Sequence, residues 1–313
     1  MLHCCSQSII RLGIALGVVG VLFFVSAMTA VSGGRYQGER RAEVQGFSTP
    51  ESVSVGPDGL YYVSNIGRTN RDGDGSVSVI VGDPFAGTAT VSELATGLDN
   101  PTGTAFVGTE LFVADGARVW KIETAQPRRG QKSVFLAPEA FPRRPAMLND
   151  IAVDAAGHLY ISDTDLGVIF KASLMGQVSL FLDTGPMNPL RMPNGVIVDS
   201  EGLISGVAGS LLAVGITGGN LVAIAPEGGS GRVIASRFGL TIGDGLAFDR
   251  RGRLYIGDFI GRVYRMRTDR SIERILTGLT TPADLTVDQR RNWLVIPSFT
   301  GDRVLFIELQ DPM

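Results

Sequence analysis

Polar residues stand at one repeated position in this chain, each just before a short apolar strand. In LNDIAVDAAGHLYISD, for example, Asn149 and Asp150 come directly before the apolar residues of the strand. The residues at this position are Glu51, Thr102, Asn149, Asn194, Asp244 and Ala283. Two carboxylates and two amides, without nitrogen or sulfur donors, form a ligand set that suits Ca²⁺ best and Mg²⁺ or Mn²⁺ next. The alternative is that these residues cap strand ends and hold water, as Asn and Asp do at turns.

The segments that carry these residues form a repeat. They are ESVSVGPDGLYYVSN, TGTAFVGTELFVAD, NDIAVDAAGHLYISD, NGVIVDSEG, DGLAFDRRGRLYIGD and ADLTVDQRRNWLVIPS, and their starts lie 51, 47, 45, 50 and 39 residues apart. Each unit reads as an apolar strand, a tight turn and a second strand, with further strands after it. Short strands at this period predict a β-propeller, in which the first strands line a central channel. The polar residues would then form a ring around that channel.

We therefore predict an all-β fold, a six-bladed β-propeller over residues 36–313. The segment RRAEVQGF before the first unit is predicted to complete the last blade and so leave no open edge. LISGVAG, between Asp199 and Leu211, is interpreted as a longer loop on the face away from the channel mouth. The residues that end the second strands, Asn65, Asp115, Asp163 and Asp258, are interpreted mainly as structural Asx-turn residues.

Composition excludes several kinds of site. Both cysteines, Cys4 and Cys5, precede the propeller, and the histidines are His3 and His158. A Ser-His-Asp or Cys-His nucleophile and a zinc site built on His or Cys are therefore excluded. The net charge of -3 and the lack of a basic stripe argue against nucleic acid as a partner.

Residues 1–35 are predicted to be separate from the propeller. Leu12–Val31 is 20 residues long without a charge, which predicts a hydrophobic helix of membrane-spanning length. A cleaved signal peptide is the alternative, because Val25-Ser26-Ala27 offers a small-residue cleavage pattern. We expect the domain to be exported, periplasmic or extracellular, anchored through residues 12–31 if they are retained, and monomeric.

Four of the repeat motifs resemble one family. The motifs PES with Glu51, LNDIAVDAAG with Asn149, MPNGVIVD with Asn194 and GDGLAFDRRG with Asp244 are similar to those of the senescence marker protein, gluconolactonase and luciferin-regenerating enzyme family. Drug-responsive lactonases and diisopropyl-fluorophosphatase are its relatives. The resemblance implies a six-bladed propeller with a catalytic Ca²⁺ held by Glu51, Asn194 and Asp244. It also implies that Asn149 is a further ligand or a substrate contact.

One departure from the family concerns the substrate. Sugar-lactone members carry Arg two residues before the Asn of an Asn-Asp-Gly motif, whereas this chain has Met147 there and Asn149-Asp150-Ile151 after it. The departure favours a more apolar small-molecule substrate. Met147, Asp150 and Arg191 are the candidate substrate contacts, and Arg191 could recognise an anion.

The leading hypothesis is a calcium-dependent hydrolase of a lactone or related ester. In it the cation polarises the carbonyl, water attacks, Asp244 is the candidate general base, and Asn149 assists at the same place. One alternative is a non-catalytic binding or scaffold propeller with a structural ion site. The other is a propeller enzyme like strictosidine synthase, with Asp150 as the candidate acid or base.

Overall fold

Short apolar strands and glycine-containing turns fold into six four-stranded antiparallel sheets arranged as the blades of a propeller. The computed structural model describes residues 40–69, 71–185 and 188–309. Within these ranges the only helical segments are two 3₁₀ turns, Pro138–Ala140 and Phe299–Gly301. The prediction of an all-β six-bladed propeller is confirmed.

The blades follow the chain in order, and each contributes four strands to its own sheet. Blade 1 contains β2 (Pro50–Val55), β3 (Tyr61–Asn65), β4 (Gly75–Val81) and β5 (Thr90–Leu98). Blade 2 contains β6 (Pro101–Val107), β7 (Glu110–Asp115), β8 (Arg118–Glu123) and β9 (Lys132–Leu136). Blade 3 contains β10 (Leu148–Val153), β11 (Leu159–Asp163), β12 (Val168–Ala172) and β13 (Val178–Asp183). Blade 4 contains β14 (Arg191–Asp199), β15 (Ser210–Thr217), β16 (Asn220–Ile224) and β17 (Gly231–Ser236). Blade 5 contains β18 (Gly243–Phe248), β19 (Leu254–Asp258), β20 (Arg262–Met266) and β21 (Ile272–Thr277).

Blade 6 combines the two ends of the described chain. Its strands are β22 (Thr286–Asp288), β23 (Trp293–Ser298), β24 (Arg303–Glu308) and, as the outer strand, β1 (Arg41–Gln45). β1 runs antiparallel to β24 over its whole length, from Arg41 opposite Ile307 to Gln45 opposite Arg303. The hydrophobic helix predicted at residues 12–31, and the boundary at residue 35, lie outside the described residues. In the described part of the chain, no helix has the length and apolar character needed to span a bilayer.

The hydrophobic core is divided among the blade interfaces. Each pair of neighbouring blades shares its own cluster of buried apolar residues, such as Phe112 of blade 2 with Phe170 of blade 3. Equivalent clusters join the other five pairs around the ring. Because the cluster between blades 6 and 1 includes Val44 of β1, the burial that holds the ring closed depends on that strand.

The same irregularity occurs where each innermost strand begins. In blades 1 to 5 the pairing of the first two strands skips two residues, for example from Leu148 opposite Asp163 to Ile151 opposite Ile161. Asn149 and Asp150 thus lie opposite one residue, Ser162, as in a β-bulge. Ser162 stabilises the bulge, since its hydroxyl accepts the Asp150 N–H at 2.9 Å and donates to the Asn194 carbonyl at 2.7 Å. Bulges re-aim side chains, and here they direct the repeated polar residues toward the axis.

Glycine at the second bulge position lets the innermost strands approach one another. Gly103, Gly195 and Gly245 occupy this position in blades 2, 4 and 5. A Cβ atom on Gly103 would lie 2.5 Å from the Asp150 Cα, and one on Gly195 would overlap the carbonyl oxygen of Asp244. Only glycine allows this backbone-to-backbone contact.

The residues that end the second strands have the structural role that the sequence predicts. The carboxylate of Asp163 accepts the backbone N–H groups of Ala146 and Met147, at 2.8 and 3.1 Å. Asp115 and Asp258 accept two backbone N–H groups each in the same way. These bonds fix the loops that lead into the innermost strands. The loop containing LISGVAG lies at the opposite end of blade 4, where Asp199 accepts the N–H groups of Ile204 and Ser205.

The contact at Gly195 gives a test of this packing. We expect Gly195→Ala to lower the free energy of unfolding by about 3 kcal/mol. The added methyl group would overlap the backbone of Asp244, and a tightly packed core cannot move far enough to relieve the overlap. Urea unfolding followed by circular dichroism measures the change. Ser200→Ala, on an exposed turn of the same blade, is the control and should change stability by less than about 0.5 kcal/mol. A Gly195→Ala protein as stable as the parent would contradict the close approach of blades 4 and 5.

Candidate functional site

The five bulges bring their polar side chains to one end of the central channel. We call the set of residues at the first bulge position, together with Ala283 of blade 6, the floor ring. Its members are Glu51, Thr102, Asn149, Asn194, Asp244 and Ala283, and all are buried. The five polar members line a cavity of about 180 Å³, which we call the mouth cavity. The sequence repeat thus correctly predicted which residues meet at the axis.

Three floor oxygens have no hydrogen-bond partner in the described part of the chain. They are Glu51 Oε2, Asn194 Oδ1 and Asp244 Oδ1, and all three are buried. Thr102 differs, because its hydroxyl donates to the Leu148 carbonyl at 3.2 Å. A buried polar atom without a partner costs free energy, so three in one ring require an explanation.

A second acidic layer lies one residue deeper along the strands. Asp150 is buried there, and its two oxygens accept the N–H groups of Ile151 and Val196, each at 2.7 Å. Asp284 of blade 6 accepts the hydroxyl of Ser52 at 2.7 Å. Both acids line the lower channel, away from the mouth cavity. Unlike the floor oxygens, these carboxylates have partners from the protein itself.

Burial raises the pKa values of all four carboxylates, and the charges of neighbouring carboxylates add to this for Glu51, Asp244 and Asp284. Burial, and then the charges of Asp244, Asp284 and Asp150, raise the pKa of Glu51 well above its usual value. Burial, followed by the charges of Asp150 and Asp258, raises the pKa of Asp244 to about 8, and burial raises that of Asp150 to about 6. No Lys, Arg or His is among the described residues that line the mouth cavity or the lower channel.

A divalent cation fits this donor set. The three unpartnered oxygens and the Asn149 side chain are all hard oxygen donors, and Ca²⁺ prefers such ligands. A bound cation would also offset the electrostatic repulsion among the buried carboxylates. A nearby Lys or Arg usually supplies the opposite charge that does this. The described residues contain no group of three His, Cys, Asp or Glu side chains placed to hold a metal, so the set depends on its two amides.

A second ring forms the wall of the mouth cavity, and the sequence analysis missed it. In each blade, the residue just before the floor position is paired with a residue of the second strand, and the wall ring consists of the residue that directly follows this partner. Its members, Ile66, Gly116, Thr164, Ile216, Phe259 and Phe299, all line the cavity. Laying the repeats on one another would have revealed this position, because in blades 1, 2, 3 and 5 it follows directly after the recurring polar residue that ends the second strand.

The predicted substrate contacts are not all brought together. Met147 lines the mouth cavity. Asp150 lies below the floor ring, and Arg191 is exposed and is not among the described residues that line the cavity. Met192, next to Arg191, lines the cavity instead.

The opposite face has a different character. A larger groove of about 600 Å³ lies there between blades 4, 5 and 6, lined by residues such as Glu201, Arg250 and Gln289, and it includes no floor residue. His158 lies in the turn between β10 and β11 on that face, with its ring bonded to Asp154 at 2.9 Å. The one histidine of the described chain is therefore far from the mouth cavity.

The chain matches no protein-family model, and no curated protein matches it significantly. Among solved structures, it is similar to a gluconolactonase from Xanthomonas campestris, with 18% identity over 90% of this chain and 94% of that one and a TM-score of 0.68. A virginiamycin B lyase from Staphylococcus aureus, a catalytically inactive His-to-Ala variant with quinupristin, shares 14% identity over 87% of this chain and 100% of its own, with a TM-score of 0.58. A chain of a nidogen/laminin complex shares 17% identity over 81% of this chain and 100% of its own, with a TM-score of 0.56. At these identities the likeness shows a shared propeller fold.

Proposed function

We propose that the protein is a calcium-dependent hydrolase of a lactone or related ester. The observation that carries the proposal is the set of three buried, unpartnered oxygens on Glu51, Asn194 and Asp244 at the floor of a cavity without a basic side chain. The fold shared with a gluconolactonase adds support. Among the described residues, a lyase mechanism that depends on histidine has no candidate at the mouth, because His158 lies on the opposite face.

Glu51, Asn149, Asn194 and Asp244 are the residues that would hold the ion. When bound, a divalent cation supplies a Lewis acid that draws electron density from a carbonyl oxygen; Mg²⁺ or Mn²⁺ is the alternative to Ca²⁺. The protein's own part is to fix the four donors on rigid strands before the substrate arrives. The bulges and the close approach at Gly195 provide that rigidity.

Asp244 is the candidate general base. Without a cation its pKa is raised to about 8 by burial and by the charges of Asp150 and Asp258, and a bound cation would lower it. The assignment of Asp244 as the base therefore rests on its place in the floor ring, where the carbonyl and the water would meet. Hydrolysis forms a bond between the carbonyl carbon and the oxygen of water and breaks the bond from that carbon to the alcohol oxygen. One proton of the water ends on the alcohol oxygen, and the other leaves as the carboxylic acid ionises. We assign to Asp244 the uptake of the first proton from water and to Asn149 the orientation of the carbonyl at the floor.

Calcium binding is the first test. We expect one high-affinity site in the purified full-length chain, and we expect Glu51→Gln and Asp244→Asn each to weaken binding by about 100-fold, because each removes a buried charged donor. Isothermal calorimetry measures both quantities. Glu201→Gln, the same chemical change on an exposed residue of the opposite face, should leave the affinity unchanged. Absence of calcium, magnesium and manganese binding would mean that the floor ring only caps strands and holds water.

The stability of the calcium-free protein should fall as the pH rises from about 5 to 8. Asp244 has a pKa of about 8 in the folded protein against 3.8 when unperturbed, so the folded state binds more protons in this window. Stability falls with pH wherever the folded state binds more protons than the unfolded state. The raised pKa of Glu51 acts in the same direction. We expect a lower melting temperature at pH 8 than at pH 5.5 in chelator, a flatter profile for Asp244→Asn, and recovery at pH 8 on adding calcium; a melting temperature that rises with pH in chelator would contradict the assignment.

Turnover distinguishes an enzyme from a scaffold. With saturating calcium, we expect Asp244→Asn to lower kcat for a lactone by about 10³-fold, within the usual contribution of a general base. A panel of lactones and aryl esters, followed by acid release at constant pH, measures the rate. A full rate in Asp244→Asn would remove its assigned role. Calcium binding without turnover of any lactone or ester would favour a scaffold propeller with a structural ion.

A further inference from the structure

The wall ring has large apolar side chains in four blades and smaller residues in the other two. Blades 4, 5, 6 and 1 follow one another around the ring and contribute Ile216, Phe259, Phe299 and Ile66. Blades 2 and 3 contribute Gly116 and Thr164. Gly116 has a positive φ of 61°, and a Cβ atom built there would meet nothing within 4 Å. The wall ring is therefore apolar along four successive blades and contributes only small side chains in blades 2 and 3, where Ala146 and Met147 also line the cavity.

Part of the apolar wall is a distinct cluster, separate from the six blade-interface clusters. Ile66 and Phe299 pack on the buried Ala283, and Phe259 packs against them. The rings of Phe259 and Phe299 meet edge to face, with centroids 5.4 Å apart. We call Ile66, Phe259 and Phe299 the apolar shelf. Because these side chains line the cavity, they present apolar surface to whatever occupies it.

The shelf lies beside the two carboxylates of the floor ring. Ala283 is the floor-ring member whose side chain has no oxygen to offer a cation. It belongs to blade 6, between Asp244 of blade 5 and Glu51 of blade 1. A molecule with its carbonyl at these two carboxylates would therefore have its adjacent substituent against the shelf. Phe259 is only partly buried, so it has surface left to cover.

The lining also limits the charge of the occupant. No Lys, Arg or His is among the described residues that line the cavity, so no side chain there can pair with a carboxylate or phosphate. The polar side chains above the floor, Thr69, Asn100, Thr164 and Asp165, are few compared with the apolar ones, and the hydroxyl of Thr164 already donates to the Pro193 carbonyl at 2.8 Å. A polyhydroxylated sugar, by contrast, needs a hydrogen-bond partner for each buried hydroxyl.

We propose that the substrate is a neutral lactone or ester with an apolar substituent of several carbons, which packs on the apolar shelf while the carbonyl lies at the floor ring. The ester bond in this statement rests on the proposed function, whereas the apolar substituent rests on the shelf alone. The bond changes are those of hydrolysis given above, with water as the second reactant.

A pair of lactones that differ only in an alkyl chain tests the proposal. With calcium present, kcat/KM for γ-nonalactone should exceed that for γ-butyrolactone by at least about tenfold, since each added methylene in an apolar pocket is worth severalfold or more. Phe259→Ala should lower this ratio by at least about fivefold, and Phe259→Leu, which keeps an apolar side chain, should lower it less. Val134→Ala, at an exposed position on the outer strand β9, is the matched control and should keep the parent ratio.

A ratio near one, or a preference for glucono-δ-lactone over γ-nonalactone, would overturn the proposal while leaving the hydrolase function intact. If no lactone is hydrolysed, the proposed function fails and the shelf is tested by calorimetry with ketones that cannot be hydrolysed. Tighter binding of 3-pentylcyclopentanone than of cyclopentanone, reduced in Phe259→Ala, would support an apolar ligand. Equal binding of the two ketones, or binding of neither, would overturn it.

Discussion

The repulsion among carboxylates at the channel axis is the constraint on which the rest of the structure depends. Glu51 and Asp244 lie in the floor ring, with Asp150 and Asp284 in the layer beneath, and no basic side chain is among the described residues lining this space. Hydrogen bonds from the chain satisfy the lower pair. The upper pair is left with unpartnered oxygens that face a cavity. The free-energy cost of this arrangement is the reason for proposing that the floor ring binds a cation.

Rigid backbone keeps the acids together. The bulge that turns Asn149 and Asp150 toward the axis recurs in five blades, and the glycines at its second position let neighbouring strands touch. A strand free to move would relax the repulsion by withdrawing its carboxylate. The six interface clusters oppose this, because shifting one blade would open the apolar contacts on both of its sides.

The floor ring could be predicted from the sequence because it depends only on repeat alignment, and Asn149 and Asn194 fall at equivalent places without any knowledge of side-chain contacts. The bulge could not be predicted in the same way, because placing two residues opposite one leaves no sequence pattern beyond a recurring glycine. Without the bulge, Asp150 looks like a neighbour of Asn149 at the mouth, whereas it points into the lower channel and accepts the Val196 N–H. The sequence predicts Arg191 near the mouth only because of its position in the chain. Chain position does not distinguish an exposed residue at the rim from one that lines the cavity wall. The wall ring follows from the same repeat, but its members share position rather than residue type.

The end of blade 6 at which β1 begins has a consequence for handling the protein. Arg40 lies beside the far end of β24, where its carbonyl accepts the Glu308 N–H, and Leu309 next to it bonds to Asn292 in the hairpin turn of blade 6. This is the face opposite the mouth cavity. An affinity tag, a fluorescent fusion or a bead attached ahead of Arg40 would therefore sit behind the propeller, and small molecules could still reach the floor ring from the free side.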